Sequence, residues 1–200
     1  MARQFDPPWT PPEALQTTLQ QAGYALLDPA GVWRWAEIAA AQLDELAAYW
    51  ERLPLDPHLR DGGRYRRRRH SCCIIEDGSI KSVAHRAHWQ PLAYNALHGG
   101  MQRWFEPIEP AMGAHPAWAP LLRALARECS GLHGPRRWYV EAHPFRIDTT
   151  DGIGRPTPEG AHRDGVDLVA IFMIDRHAIK GGETRVFDAD VLESAAVVCG

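Results

Sequence analysis

The hydrophobic periodicity of the chain changes near residue 64, and this change restricts the possible folds more than any other feature of the sequence. Before it, apolar side chains recur at helical spacing, which predicts one helix from about 10 to 23 and a second from about 32 to 53. After it, most segments are of β type and are separated by turns rich in glycine and proline. Helices followed by antiparallel strands predict an α+β fold, or a barrel with helices packed outside it.

Local signals mark the ends of the two predicted helices. Thr10 and Glu13 have the spacing of a capping box at the start of the first helix, and Gly23 provides its stop. Pro54 ends the second helix, because proline lacks the N–H that a helix interior requires.

The strand predictions follow the turn signals. Strands are predicted at 24–27, 64–75, 80–84, 136–147, 166–174 and 184–187, and a third helix at 116–128. Residues 76–79 form a hairpin signal around Asp77 and Gly78. Pro144 interrupts the strand that contains it, because proline cannot donate to a sheet ladder.

Charge and cysteine usage exclude several classes of protein. The formal net charge is −3, which does not favour nucleic-acid binding or a membrane-surface role. No apolar run reaches the roughly 18 residues that cross a bilayer, and the first residues lack the apolar core of a signal peptide. The four cysteines have neither CxxC nor zinc-site spacing. We expect a reduced, cytoplasmic protein with a small-molecule substrate, no nucleic-acid partner and no membrane partner.

His162 and Asp164 form the pattern that points most directly to chemistry. They are two residues apart at the start of a predicted strand, so both side chains leave the same face. An imidazole and a carboxylate placed in this way can occupy two adjacent positions on one metal ion. They are two of the three ligands in the 2-His-1-carboxylate site of non-haem Fe(II) oxygenases. The pattern is weak by itself, because His and Asp more often serve in hydrogen bonds.

The surrounding motifs are more specific in combination. A predicted strand follows the His-x-Asp pair, and Gly181-Gly182-Glu183-Thr184 follows that strand. The other motifs are GGRYRRRR at 62–69, QPLAYN at 90–95, HGG at 98–100, RWFEP at 103–107, HPFR at 143–146 and PTPEG at 156–160. Together, over about residues 23–187, they resemble the 2OG-Fe dioxygenase family that contains L-isoleucine 4-hydroxylase and the biofilm-associated BsmA proteins.

This resemblance implies a double-stranded β-helix (a jelly roll) with helices packed outside. It implies Fe(II) bound by His162, Asp164 and a later histidine, with 2-oxoglutarate and O₂ as co-substrates. It also implies hydroxylation of a small substrate, which for some members is a free L-amino acid. By the same resemblance, Thr184 would line the 2-oxoglutarate pocket. We expect one dioxygenase-like domain over 1–200, helical at about 10–60, with jelly-roll strands from about 64 and mainly at 136–200.

The third iron ligand departs from the family pattern. His177 is the only histidine after Asp164, and it lies roughly 40 Å away if the intervening strand is extended. The family's later arginine, which binds the distal carboxylate of 2-oxoglutarate, also has no counterpart. We therefore expect the sequence to be a fragment truncated at its C-terminus, and the alternative is a degenerate member of the family.

Two arginines are candidate anion-binding groups. Arg69 ends a run of arginines. Either the run is a solvated strand face, or the face with Tyr65, Arg67 and Arg69 points inward and a guanidinium binds a carboxylate. Arg146 is a candidate for a substrate carboxylate or for 2-oxoglutarate. These two residues also support an alternative function, a non-catalytic jelly-roll module that binds a small anionic ligand.

Three further residues are candidate substrate-binding groups. Tyr139, Glu141 and His143 share one face of their predicted strand, because they are two residues apart. A histidine in the position of His143 is more often a packed, hydrogen-bonded residue than a ligand. Glu159 either binds a substrate amine or orders its loop. Five other histidines lack a defensible partner spacing and are interpreted as structural; they are His70, His85, His88, His98 and His133.

Overall fold

The computed structural model of the protein describes residues 8–92, 99–149, 152, 154, 162, 164–180, 184–187 and 194–198. Its α-helices are α1 (Leu15–Ala22), α2 (Pro29–Ala36), α3 (Ala40–Ala47), α4 (Pro110–Gly113) and α5 (Trp118–His133), with 3₁₀ turns at Pro12–Ala14 and Ala48–Arg52. Its strands are β1 (Arg66–Arg68), β2 (Ser71–Glu76), β3 (Ser79–Ser82), β4 (Trp138–Ala142), β5 (Phe145–Ile147), β6 (Thr184–Phe187) and β7 (Ser194–Val198). Helices and antiparallel sheets are both present, as an α+β fold requires.

The N-terminal helical region differs from the prediction at its start. No side chain caps the first turn, which begins after Pro11 as a 3₁₀ turn. Thr10 instead donates its backbone N–H to Leu26 at 2.7 Å, and the expected capping box is not formed. Gly23 does end α1, in the left-handed conformation at φ 75° that glycine adopts without strain. The segment 24–27 forms no strand.

The long helix predicted at 32–53 is divided into three pieces. Asp28 caps α2 by accepting a hydrogen bond from the Gly31 N–H at 2.6 Å. Glu37 then takes a left-handed conformation, with φ 57°, and ends α2. Spacing alone could not show this break, because apolar residues continue at helical intervals on both sides of it.

The largest sheet has the strand order β3-β2-β4 and is antiparallel throughout. The hairpin between β2 and β3 is confirmed: Asp77 and Gly78 both have positive φ, at 49° and 73°, as a two-residue hairpin turn requires. The strand predicted at 136–147 is confirmed with its interruption, because β4 and β5 lie on either side of Pro144. β5 pairs with β1, and β6 pairs with β7, in two further antiparallel pairs.

Helix α5 lies between the two parts of the hydrophobic core. Leu121 and Ala124 belong to a cluster with buried residues of α1, α2 and α3. Leu122 and Ala126 belong to a second cluster with Ile75 and other residues of the main sheet. The helix is therefore apolar on two sides, and it holds the sheet against the helical region.

The segment predicted as a strand at 166–174 is not a strand in the structure. Among the described residues nothing pairs with it, and a strand requires a hydrogen-bonded neighbour. Val166 and Ile171 are exposed, while Phe172 packs near Trp35 with ring centroids 6.3 Å apart. No helix in the part of the chain described here is both long enough and apolar enough to cross a membrane.

Candidate metal centre

The main sheet has one packed face and one polar face. Cys73 on β2 pairs with Val140 on β4, and these side chains point toward α5. The next pair along the ladder, Cys72 and Glu141, must point the other way, because successive side chains in a strand alternate. β2 and β4 therefore present a second set of side chains away from the core.

The strand register brings two distant histidines together on this polar face. Ser71 pairs with Ala142, so the same register sets His70 opposite His143. Their rings stack with centroids 4.7 Å apart and planes only 12° apart. His88, from the segment that precedes α4, meets the His143 ring edge-on at 4.7 Å.

These histidines surround the carboxylate of Glu141. Its Oε2 lies 2.7 Å from His88 Nδ1, 3.4 Å from His143 Nε2 and 3.9 Å from His70 Nε2. The four residues His70, His88, Glu141 and His143 each offer one ligand atom, and these atoms all lie within 4.8 Å of one another. We call them the histidine cluster. Three imidazoles and a carboxylate at this separation can bind a transition metal ion.

Burial sets the protonation states of the histidine cluster. It lowers the pKa of His70 to about 4 and that of His143 to about 3, so both imidazoles are neutral at physiological pH. Burial by itself would raise the pKa of Glu141, but hydrogen bonds from His143 and His88 outweigh it and leave that pKa well below its usual range. His70 and His143 thus place neutral imidazoles beside a carboxylate, the form in which both groups bind metals.

Arg68 restricts what His143 can do in this cluster. Its NH2 group lies 2.6 Å from His143 Nδ1, and a guanidinium can only donate. His143 Nδ1 is therefore the acceptor, and in the neutral ring Nε2 carries the proton that points to Glu141. A histidine that binds a metal usually has the opposite arrangement, in which the second ring nitrogen donates to an acceptor.

The predicted pair His162 and Asp164 also comes together. His162 Nε2 lies 3.3 Å from Asp164 Oδ1. Two ligand atoms about 2.1 Å from one metal ion, and at right angles, would be about 3.0 Å apart, so this separation fits adjacent positions on one ion. The pair lies in an irregular segment rather than a strand, which corrects the expected location. Within the described residues, no third His, Cys, Asp or Glu joins it, His177 included.

The two predicted anion-binding arginines already face carboxylates. Arg69 lies 3.1 Å from Glu106 and 3.9 Å from Glu109. Arg146 lies 2.7 Å from Glu51, and its other terminal nitrogen is 3.7 Å from Asp148. An anionic ligand at either arginine would have to compete with these protein carboxylates.

The arginine run makes buried contacts through Arg66, Arg68 and Arg69. Arg66 is buried, and it pairs with Asp56 at 2.7 Å. Arg68 points to His143 and lies over the Phe105 ring, 4.0 Å from its centroid. Arg69 is also largely covered, with its side chain 16% exposed. The interpretation with Tyr65, Arg67 and Arg69 inward stays a prediction, and it did not include the buried contacts of Arg66 and Arg68.

Of the other candidate residues, the structure describes Tyr139 and Thr184. Tyr139 is exposed, with its hydroxyl 3.4 Å from Glu141 at the rim of the histidine cluster, as the predicted alternation requires. Thr184 is exposed at the start of β6, where it pairs with Val198. Glu159 lies outside the described residues.

Sequence spacing does not predict that His70 and His88 meet Glu141 and His143. His70 is 1% exposed, and its Nδ1 has no hydrogen-bond partner. No local spacing connects it to His88 or to Glu141. The one usable signal was the pairing of β2 with β4, which requires the register as well as the strand positions.

Comparisons with known proteins show which family and which solved structures this chain is similar to. A family model described as 2OG-Fe dioxygenase matches residues 47–198. The crystal structure of a bsmA homolog from Methylobium petroleophilum PM1 matches with a TM-score of 0.89 and 47% identity, covering 96% of this chain and 77% of that chain. The structure of IDO from Bacillus thuringiensis has a TM-score of 0.60 at 14% identity, covering 77% and 66%, and shows a shared fold only. No curated protein matches the chain.

Proposed function

Because this chain belongs to the 2OG-Fe dioxygenase family, we propose that it hydroxylates a free L-amino acid or a similar small zwitterion. The family uses Fe(II), 2-oxoglutarate and O₂, so the coarse activity is that of an Fe(II)- and 2-oxoglutarate-dependent oxygenase. The observation that carries the proposal is the pair of His162 and Asp164, 3.3 Å apart inside the matched region. We further propose the complete jelly roll that the family resemblance implies.

His162 and Asp164 are the residues that would hold the iron. Their donor atoms have the separation of adjacent ligands, and an imidazole with a carboxylate is the donor set that suits Fe(II). When bound, the metal with 2-oxoglutarate and O₂ supplies the oxidising power that places oxygen into a C–H bond. The protein contributes the position of the ligands and the exclusion of water.

The histidine cluster is the competing location for the metal. It offers more donors, but Arg68 holds His143 in the tautomer whose Nε2 proton faces Glu141. A metal ion there would have to displace that proton and would lie close to a buried guanidinium. These two costs favour the His162–Asp164 pair for iron, and they favour the histidine cluster as a hydrogen-bonded part of the sheet's polar face.

The amino-acid substrate is supported by the resemblance to the family that contains L-isoleucine 4-hydroxylase. A zwitterion also needs a fixed negative charge for its ammonium group, and Glu141 provides one, since its carboxylate is ionised and 27% exposed. Tyr139 lies beside it at the exposed rim. In this role Glu141 binds and orients the substrate without taking part in a proton transfer.

The first test locates the metal. Under anaerobic conditions, Fe(II) and 2-oxoglutarate added to the protein should give the weak visible absorption of the chelated complex. His162→Ala should abolish this absorption, and the matched variant His88→Ala should retain it. Absence of the absorption in the wild-type protein would overturn the oxygenase proposal. Retention in His162→Ala together with loss in His88→Ala would move the iron to the histidine cluster.

The second test identifies the substrate. The protein is incubated with Fe(II), 2-oxoglutarate, O₂ and a panel of free amino acids, and mass spectrometry is used to find a product that has gained one oxygen atom. Succinate formation should match product formation, because each turnover consumes one 2-oxoglutarate. A protein that binds iron and 2-oxoglutarate but oxidises none of these amino acids contradicts the substrate class alone.

A further inference from the structure

Gln90 lies between a buried arginine and the predicted iron ligand. Its Nε2 donates to Asp164 Oδ1 at 3.1 Å, and its Oε1 accepts from Arg103 NH2 at 2.9 Å. Both neighbours determine the orientation of the amide, because a carboxylate can only accept and a guanidinium can only donate. The amide therefore presents its N–H groups, and not its oxygen, to Asp164.

The backbone fixes where this amide sits. His88 and Arg103 exchange two backbone hydrogen bonds, of 2.9 and 3.0 Å, in an isolated antiparallel bridge. Two residues after His88, the backbone carbonyl of Gln90 accepts a hydrogen bond from the Gly100 N–H at 2.8 Å. Arg103 itself is only 3% exposed. Gln90 is thus attached to a buried and well-paired part of the fold.

Asp164 has no comparable support from its own segment. It lies in an irregular stretch without a strand ladder, and its side chain is 36% exposed. A carboxylate in such a position can rotate away from His162 unless another side chain restrains it. Rotational freedom of a ligand costs metal affinity, because it must be lost when the metal binds.

We propose that Gln90 is a positioning residue for the metal site, and that its amide, held by Arg103, keeps Asp164 Oδ1 beside His162 Nε2. The inference rests on the proposed function, in which His162 and Asp164 hold the iron. Hydrogen-bonded partners of metal ligands commonly contribute about 10- to 100-fold to metal affinity. Gln90 belongs to this class of residue and has no direct contact with the reacting atoms.

The experiment compares metal affinity in two variants of the protein. Gln90→Met keeps the length of the side chain and removes the amide, and the control Gln102→Met makes the same change at an exposed position two residues from Gly100. Co(II) serves as the probe, and the visible absorption of the bound ion reports both its affinity and its ligand geometry. We expect Gln90→Met to bind Co(II) about 10- to 100-fold more weakly than the wild type, with shifted absorption bands, and Gln102→Met to match the wild type.

Thermal unfolding without metal separates positioning from a structural role. The Tm of Gln90→Met should stay near that of the wild type. If that Tm falls, the comparison is repeated with Gln90→Ala, because the smaller side chain cannot introduce a clash. Unchanged Co(II) affinity in either folded variant overturns the proposal, and so does loss of the fold in both. Failure of the proposed function looks different, since then His162→Ala binds Co(II) as tightly as the wild type.

Discussion

Arg68 donates a 2.6 Å hydrogen bond to Nδ1 of His143, and both side chains are largely buried. Burial lowers the pKa of Arg68 to about 9, and the guanidinium is still charged at neutral pH. Its charge adds to the effect of burial in lowering the pKa of His143. The contact therefore fixes both the tautomer and the charge of this histidine.

The first prediction removes that charge. Arg68→Met should raise the pKa of His143, because the burial effect remains while the repulsion from the guanidinium is lost. Titration of the imidazole proton resonances by NMR measures the change. Arg52→Met is the control, since Arg52 faces Glu109 at the surface at 3.1 Å. A His143 resonance that titrates at the same pH in the wild type and in Arg68→Met would contradict this account.

The second prediction concerns stability in mild acid. The pKa values of His70 and His143 are lowered in the folded protein, so both histidines bind fewer protons folded than unfolded. Their contribution to stability is complete above about pH 6.5 and is lost as the pH falls toward 4, at most about 1.4 kcal/mol per pH unit for each histidine. Urea unfolding at about pH 7.5 and about pH 5 tests this.

The variants His70→Asn and His143→Asn should each reduce that pH dependence. Glu141 does not contribute in the same window, because its pKa lies below its usual range and its carboxylate stays ionised there. Equal stability of the wild-type protein at the two pH values would show that these histidines are not buried in their neutral form.

The third prediction separates two neighbouring carboxylates. Asp164→Ala should abolish iron binding, because it removes one of the two ligands provided by the proposed site. Asp167→Asn should leave iron binding intact, since Asp167 pairs with Arg136 at 2.7 Å and both side chains are about half exposed. Loss of an exposed pair of this kind costs about 0–1 kcal/mol. Iron titration decides between them, and the reverse pattern would refute the ligand assignment.

The fourth prediction concerns the buried ion pair of Arg66 and Asp56. The two side chains are 6% and 0% exposed, and their atoms lie 2.7 Å apart. Asp56→Ala should lower the free energy of unfolding by about 3–5 kcal/mol, because it removes the carboxylate that compensates the charge of a buried guanidinium. The control is Glu76→Ala, which breaks an exposed pair with Arg137 and should cost about 0–1 kcal/mol. Urea denaturation measures both, and similar values for the two variants would contradict the prediction.

The sequence predicted local features of the fold better than distant contacts. The hairpin at Asp77 and Gly78, the helix stop at Gly23 and the interruption at Pro144 follow from the conformations that single residues prefer. The break at Glu37 could not be predicted, because it depends on packing and no helix-breaking residue marks it. The expected strand at 166–174 needed a partner strand, which its own residues cannot specify.

The same contrast between local features and distant contacts applies to the candidate site. His162 and Asp164 are two residues apart and do converge, although not through the strand on which the prediction depended. The histidine cluster joins residues up to 73 positions apart. The pairing of Ser71 with Ala142 brings His70 to His143, and the bridge to Arg103 holds His88. A shift of that register by one residue would send the side chains of one strand to the opposite face. The contact of Gln90 with Asp164 could not be predicted from the sequence either, since it spans 74 positions.

The two-sided sheet also bears on how this protein can change over evolutionary time. Along β2 and β4, the residues that pack on α5 alternate with those that face the polar side. Substitutions at Cys72, Tyr139 or Glu141 therefore alter the chemistry of one surface without touching the packed residues Cys73 and Trp138. New ligand preferences can be sampled by point substitutions while the scaffold is inherited unchanged, and a mutant library confined to the polar positions would explore that freedom directly.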